Sequence, residues 1–203
     1  MRVAVIDSGV FPAHSHIDAA QLLRGIAIAA DGSIDDGPDA MIDRLGHGTA
    51  VTAAIQELAP DAQILPVRVF REGLRASARA LVEAIAWAAE HGADVINCSL
   101  GTTNAAHAAL FADAVKRAGR ARIVAPLTGP DHAPCWPGQC DGVVRVGLDW
   151  DLPRGTADLR DGLYYASGYP RPIPGVEQRR NLHGISFATA QVSGLIAAGL
   201  LKL

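Results

Sequence analysis

Three short stretches put reactive side chains at the ends of segments that read as regular structure. Residues 181–194 run Asn-Leu-His-Gly-Ile-Ser-Phe-Ala-Thr-Ala-Gln-Val-Ser-Gly, so Ser186 follows a glycine bend and opens a run of helix formers. A helix N-terminus presents free N–H groups and positive potential, which suits an oxygen nucleophile and the anion it generates. Serine at a helix start is more often a plain N-cap, so this stretch alone decides little. Residues 3–9, Val-Ala-Val-Ile-Asp-Ser-Gly, form a buried-strand run ending in Asp7, and residues 45–51, Leu-Gly-His-Gly-Thr-Ala-Val, start an apolar helix at His47. An acid, a base and a hydroxyl at such element ends are the groups that acyl transfer by an activated serine requires.

The three stretches resemble the D-S/T-G, H-G-T and G-T-S-x-A signatures of the subtilisin-like serine proteases, in that family's order and over nearly the whole chain. The resemblance implies a serine endopeptidase that needs no cofactor and acts on a peptide or protein precursor. His47 would take the Ser186 proton and Asp7 would orient the imidazole. Ser99, Leu100 and Gly101 would pair their backbone with the substrate as an added strand, Gly101 leaving room for the approach. The family's oxyanion motif, A-A-G-N, is where this chain departs: residues 124–132 read Val-Ala-Pro-Leu-Thr-Gly-Pro-Asp-His, with no asparagine between Asn104 and Asn181. By register Gly129 stands at the donor position. The candidates to replace the lost donor are the Thr128 hydroxyl first, then the Gly129 amide and His132. Ile185 and Ala190 replace a usual threonine and proline without removing a reacting group. Secreted relatives hold calcium with an acid where His16 stands and with a loop inserted into the helix after His47; both are missing, so no metal is expected.

The elements that must bring these residues together alternate strand and helix, which calls for right-handed crossovers in an α/β fold. The expected architecture is three layers, a mainly parallel sheet with helices on both faces, in a single peptidase domain over 1–203. Strands are read at 2–6, 64–70, 94–99, 122–127 and 143–148. Helices are read at 47–58, at 78–91 between a Ser77 cap and a Gly92 stop, from Asn104 to 119, and at 186–201. Residues 149–180, with Tyr164, Tyr165 and Tyr169, read as surface loops with an edge hairpin.

A net charge of -3 with scattered signs argues against nucleic acid or an anionic membrane as the main partner. No apolar run reaches the roughly 18 residues of a spanning helix. Met1-Arg2 leads straight into the first strand without room for a signal peptide or pro-segment, so a cytoplasmic location is expected. Of the three cysteines, Cys98 reads as a small buried hydrophobe, while Cys135 and Cys140 are close enough to pair or to stand as loop thiols. His14 and His16 read as a turn packed under the acid, and the acidic residues of 28–43 as a solvated loop. The compact chain further resembles dedicated peptide-maturation proteases, such as those trimming the leader of the cross-linked small subunit of quinohemoprotein amine dehydrogenase. A catalytically silent, peptide-binding or chaperone member of the fold is the alternative. A lipase-type esterase is disfavoured because its serine would sit in G-x-S-x-G ahead of the acid and base.

Overall fold

The computed structural model describes residues 1–201. Nine strands form one sheet: β1 (Arg2–Asp7), β2 (Ile26–Ile28), β3 (Ile34–Asp35), β4 (Gln63–Arg68), β5 (Val95–Cys98), β6 (Arg122–Pro126), β7 (Val144–Leu148), β8 (Ala157–Arg160) and β9 (Leu163–Ala166). Their order is β3-β2-β4-β1-β5-β6-β7-β9-β8. Every pairing from β2 to β9 is parallel, and the edge strands β3 and β8 close each side antiparallel. The mainly parallel α/β sheet is therefore as expected, and the hairpin at 157–166 forms one edge.

Strand periodicity divides the core. Val3 and Val5 of β1 face one way, with Ile64, Val95, Val124 and Val146, and pack against α1 (His47–Leu58) and α4 (Ile185–Ala197). Ala4 and Ile6 face the other way, with Leu65, Val67, Ile96 and Ile123, and pack against α2 (Ala78–Glu90) and α3 (Ala108–Arg117). Both faces are covered, so the strands are apolar throughout rather than alternating. Ser77 caps α2 by accepting from the Ala80 amide at 3.0 Å, and Gly92 leaves it at φ +74°.

The largest differences from expectation in the helix limits are the start of α3 and the end of α4. Asn104 caps a single 3-10 turn, Ala105–His107, before α3 begins, because its side chain accepts from Ala106 two residues on. The last helix stops at Ala197, not at 201. Gly199, at φ +71°, turns the chain left-handed and the Leu200 amide folds back onto the Leu195 carbonyl, 2.9 Å. Polar residues inside α4 are buried with partners. Gln191 donates to the carbonyls of Ser167 and Tyr169 and accepts from the Gly155 amide, tying the 149–170 segment to the helix.

The connection leaving β1 runs through α1 to β4 on one side, while the connection leaving β5 runs through α3 to β6 on the other. Neighbouring strands whose connections part in this way leave a crevice at their carboxyl ends. Asp7 ends β1 and Ser99 follows β5, so the crevice opens between them.

Candidate active site

Asp7 is wholly buried, and its Oδ1 accepts from the Ser8 amide at 2.7 Å and faces His47 Nδ1, also at 2.7 Å. A carboxylate at Nδ1 holds the ring proton there, which leaves Nε2 of a neutral imidazole as the acceptor. Asp7 Oδ2 is buried with no partner among the described residues. Burial opposes protonation of His47, but the bond to Asp7 and the charges of Asp7 and Asp43 outweigh it and raise the imidazole above its ordinary 6.5.

The start of α1 is fixed against β1 by its own unpaired amides. Gly46, at φ +83°, has no side chain to cap with. The Gly48 amide donates instead to Ser8 Oγ at 2.8 Å, and the Thr49 amide to Asp43 Oδ2 at 2.9 Å. A Cβ on Gly48 would lie 2.2 Å from the Gly9 carbonyl oxygen, so only glycine lets the helix cross this close to the strand end. Asp43 also accepts from the Thr49 hydroxyl (2.6 Å) and from the amides of Leu45 (2.8 Å) and Gly46 (2.9 Å). Burial pushes its carboxyl up, yet these bonds together hold it below the ordinary 3.8.

Asp43→Ala should therefore cost about 3 kcal/mol, since buried donors lose a charged acceptor. The folded pKa is depressed, so the contribution is complete above pH 3.8 and fades as pH falls through the folded value. A denaturant midpoint that drops at pH 7, by a margin that shrinks in acid, checks this. An Asp43 role confined to the surface would leave the midpoint unmoved.

Ser186 is the second residue of α4, whose N-cap Gly184 makes no side-chain bond and lies at φ +141°. No carbonyl among the described residues accepts from the Ser186 amide, so this helix start, unlike that of α1, keeps a free donor beside the serine. The hydroxyl donates to the Ser99 carbonyl at 3.2 Å, while Ser99 Oγ donates back to the Ser186 carbonyl at 3.2 Å. Behind Ser99 the chain of bonds continues: Asn97 Nδ2 donates to Ser99 Oγ (2.8 Å) and Ser193 Oγ donates to Asn97 Oδ1 (2.9 Å). The imidazole of His47 packs on Phe187, ring centroids 5.8 Å apart, which sets the base against the start of α4. Asp7 and His47 are thus hydrogen-bonded. Ser186 lies at the same junction with its hydroxyl turned toward Ser99 rather than toward the imidazole.

Beyond β5, the amides of Leu100 and Gly101 bond no carbonyl among the described residues, leaving an open backbone edge. Gly101 itself is explained by what lies behind it. A Cβ there would sit 2.3 Å from the Trp136 carbonyl oxygen and 2.6 Å from Cys135 Sγ. Thr102 pairs with Trp136 through two 2.9 Å bonds, and the Trp136-Pro137 bond is cis. Of the oxyanion candidates, the Gly129 amide is already committed to the Ala133 carbonyl at 2.8 Å. Thr128 is half-buried, and neither its amide nor its hydroxyl has a partner among the described residues. His132 lies in a 3-10 turn, Pro130–His132, at φ +57°. Cys98, Cys135 and Cys140 are all buried free thiols; burial pushes Cys135 to about 11 and Cys98 to about 12.

Sequence reasoning did not single out Asp43, Ser8 or Asn97. Asp43 had a usable signal: a helix opening with Gly at the cap position must satisfy its first amides from elsewhere, and an acid three residues earlier is the nearest acceptor. Asn97, inside an apolar strand run, was the other polar residue demanding a partner.

A sequence profile described as the Subtilase family matches residues 1–128. Subtilisin DY of Bacillus licheniformis is 27% identical over 227 aligned positions, covering all of this chain and 77% of its own length. Among solved structures, the nisin leader peptidase NisP of Lactococcus lactis superimposes with a TM-score of 0.70 at 20% identity, covering 98% of this chain and 76% of its own. The epidermin leader peptide processing serine protease of Staphylococcus aureus gives 0.72 at 19%, covering 97% and 64%.

Proposed function

This chain belongs to the subtilase family and is a subtilisin-like serine endopeptidase; from that premise we propose that Asp7, His47 and Ser186 cut a peptide bond in a specific intracellular precursor, such as a leader peptide, through an acyl-enzyme. The observation that carries the assignment of residues is the 2.7 Å contact of Asp7 Oδ1 with His47 Nδ1, beside Phe187 in the first turn of α4. The contact leaves Nε2 free to accept. Rotation of the Ser186 side chain from the Ser99 carbonyl to Nε2 lets His47 take its proton as Oγ attacks the scissile carbonyl. The same proton then goes to the departing amine, and water repeats the cycle on the ester. Asp7 holds the ring and offsets the imidazolium charge. The substrate lies extended along residues 99–101 and pairs with the free amides of Leu100 and Gly101. A leader-bearing precursor is favoured because two solved leader peptidases share this fold; the leader of the quinohemoprotein amine dehydrogenase small subunit is one substrate of that kind.

The oxyanion is held by the Ser186 amide and, in place of the missing asparagine, by the Thr128 hydroxyl. Thr128→Val keeps the shape and removes the donor, and should lower kcat by about 10²-fold with little change in KM. Thr128→Ser should retain most of the rate. A valine variant as fast as wild type would move the second donor elsewhere. The residue assignment as a whole is tested with a fluorophosphonate probe, which should label wild-type protein at Ser186 and leave Ser186→Ala unlabelled. An unlabelled wild type would instead favour a fold member that only binds peptides.

A further inference from the structure

A cavity of about 310 Å³ adjoins the two segments that carry His47 and Ser186. Its wall includes Gly46, which adjoins His47, and Leu182, four residues before Ser186. Two kinds of side chain meet there. Phe11, Leu182 and Ile173 are large and apolar yet 48%, 45% and 40% exposed, an arrangement that costs solvation unless something covers them. Arg44 and Arg171 bring guanidinium groups to the same cavity, and neither has a carboxylate partner among the described residues. Among the described residues the Arg171 guanidinium donates to the His16 carbonyl alone, at 3.2 Å.

The one acid in the wall, Asp43, makes no ion pair with either arginine, its two oxygens being taken up by four hydrogen bonds from residues 45, 46 and 49. His14, also in the wall, adds a further donor. Its Nδ1 accepts from the His16 amide at 3.1 Å, which leaves the proton on Nε2. Apolar surface beneath unpaired donors fits a carboxylate carried next to an aliphatic side chain.

We propose that this cavity binds the leaving half of the substrate and selects a peptide with a carboxylate beside an aliphatic residue, within the first three positions after the cut. The inference rests on the reading of Ser186 and His47 as the cutting centre. In this reading a peptide lying on residues 99–101 and crossing Ser186 and His47 runs on toward Gly46 and Leu182, which stand near those two residues in the chain and line the cavity. Three extended residues cover about 10 Å, which is the scale of one such cavity. Arg44 and Arg171 clamp the carboxylate, while Phe11, Ile173 and Leu182 take the aliphatic group.

The test separates binding from cutting. With full-length Ser186→Ala protein, the affinities of three short peptides are compared by calorimetry: Ala-Leu-Glu-Ala amide, Ala-Leu-Gln-Ala amide, and Ala-Leu-Gln-Ala with a free C-terminus. The glutamate peptide should bind about tenfold more tightly than the glutamine amide, a preference that weakens in 1 M salt. Adding Arg171→Gln or Arg44→Gln should remove most of it. Tighter binding of the free-terminus peptide instead assigns the clamp to a chain end, which still supports carboxylate recognition here. Equal affinity for all three, or a preference that survives both arginine substitutions, overturns the proposal. In the wild-type background, Arg171→Gln should lower kcat/KM for a peptide with glutamate after the cut more than for the same peptide with glutamine there. Failure of the endopeptidase reading would appear separately, as absent fluorophosphonate labelling, and leaves the binding comparison intact.

Discussion

Ser186→Ala should lower peptide hydrolysis on the order of 10⁶-fold, the scale of losing the nucleophile from a subtilisin-type site, while leaving the fold and peptide affinity intact. The size follows from what the hydroxyl does. Acyl transfer through Ser186 divides one difficult hydrolysis into two easier steps, and neither neighbour can replace it. Ser99 Oγ already accepts from Asn97 and donates to the Ser186 carbonyl, so it is held in place within a buried chain of bonds. Cys98 and Cys135 are buried, and desolvation keeps both as thiols at neutral pH. The structural cost should be small, because the Ser186 hydroxyl makes a single 3.2 Å bond in a half-buried position. The measurement is kcat/KM on an internally quenched peptide alongside a thermal midpoint. A variant that retains a tenth of the wild-type rate with an unchanged midpoint would show that another group attacks.

Why the alanine variant keeps its fold is also why much of this molecule could be read from its sequence. Elements whose pattern reports burial were legible: β1 from its unbroken apolar run, α1 from its apolar turns and the proline after it, α2 from Ser77 and Gly92. So was the convergence of Asp7 and His47, because both lie at element ends that an α/β topology brings to one sheet edge. The rest depends on contacts between segments far apart in the chain. The stop of α4 is set by Gly199 and a return bond from Leu200, although the residues beyond it remain helix-compatible. Gly101 reads as room for a ligand, yet the space its Cβ would need is taken by Trp136 and Cys135, thirty-odd residues on. Gly129 stood at the donor register, but its amide turns inward to Ala133 in a bend that residue types do not dictate. Asp43 looked like one acid among several in a loop. Its neighbours Asp31 and Asp35 accept from the nearby loop groups of Ser33 and Gly37, whereas Asp43 supports the helix start that carries the base.

Asp7→Asn should lower kcat about 10⁴-fold, because the amide cannot satisfy both roles of the carboxylate. Oδ1 serves two donors at once, the Ser8 amide and His47 Nδ1. If the asparagine oxygen stays there, its NH₂ falls at the position of Oδ2, a buried site where the carboxylate has no hydrogen-bond partner among the described residues. If it flips, the NH₂ faces Nδ1, forces the ring proton to Nε2, and leaves His47 unable to accept from Ser186. Both orientations are penalised, and the flipped one is the wrong tautomer. The pH profile should move as well. In the wild type, desolvation of His47 is outweighed chiefly by Asp7, so its pKa stands above 6.5 and the rate climbs as pH rises through that value and frees the base. Without the carboxylate, desolvation dominates and the ascending limb shifts to lower pH, beneath a far lower plateau. Stability follows the same sign. A raised folded pKa stabilises fully below pH 6.5 and is lost as pH rises through the folded value, so the asparagine variant should be most weakened relative to wild type in the acidic range. The rate profile and a pH series of denaturant midpoints test the two halves independently. An Asp7→Asn protein whose ascending limb stays in place and whose plateau falls less than tenfold would remove Asp7 from the machinery, leaving its contact with His47 a structural one.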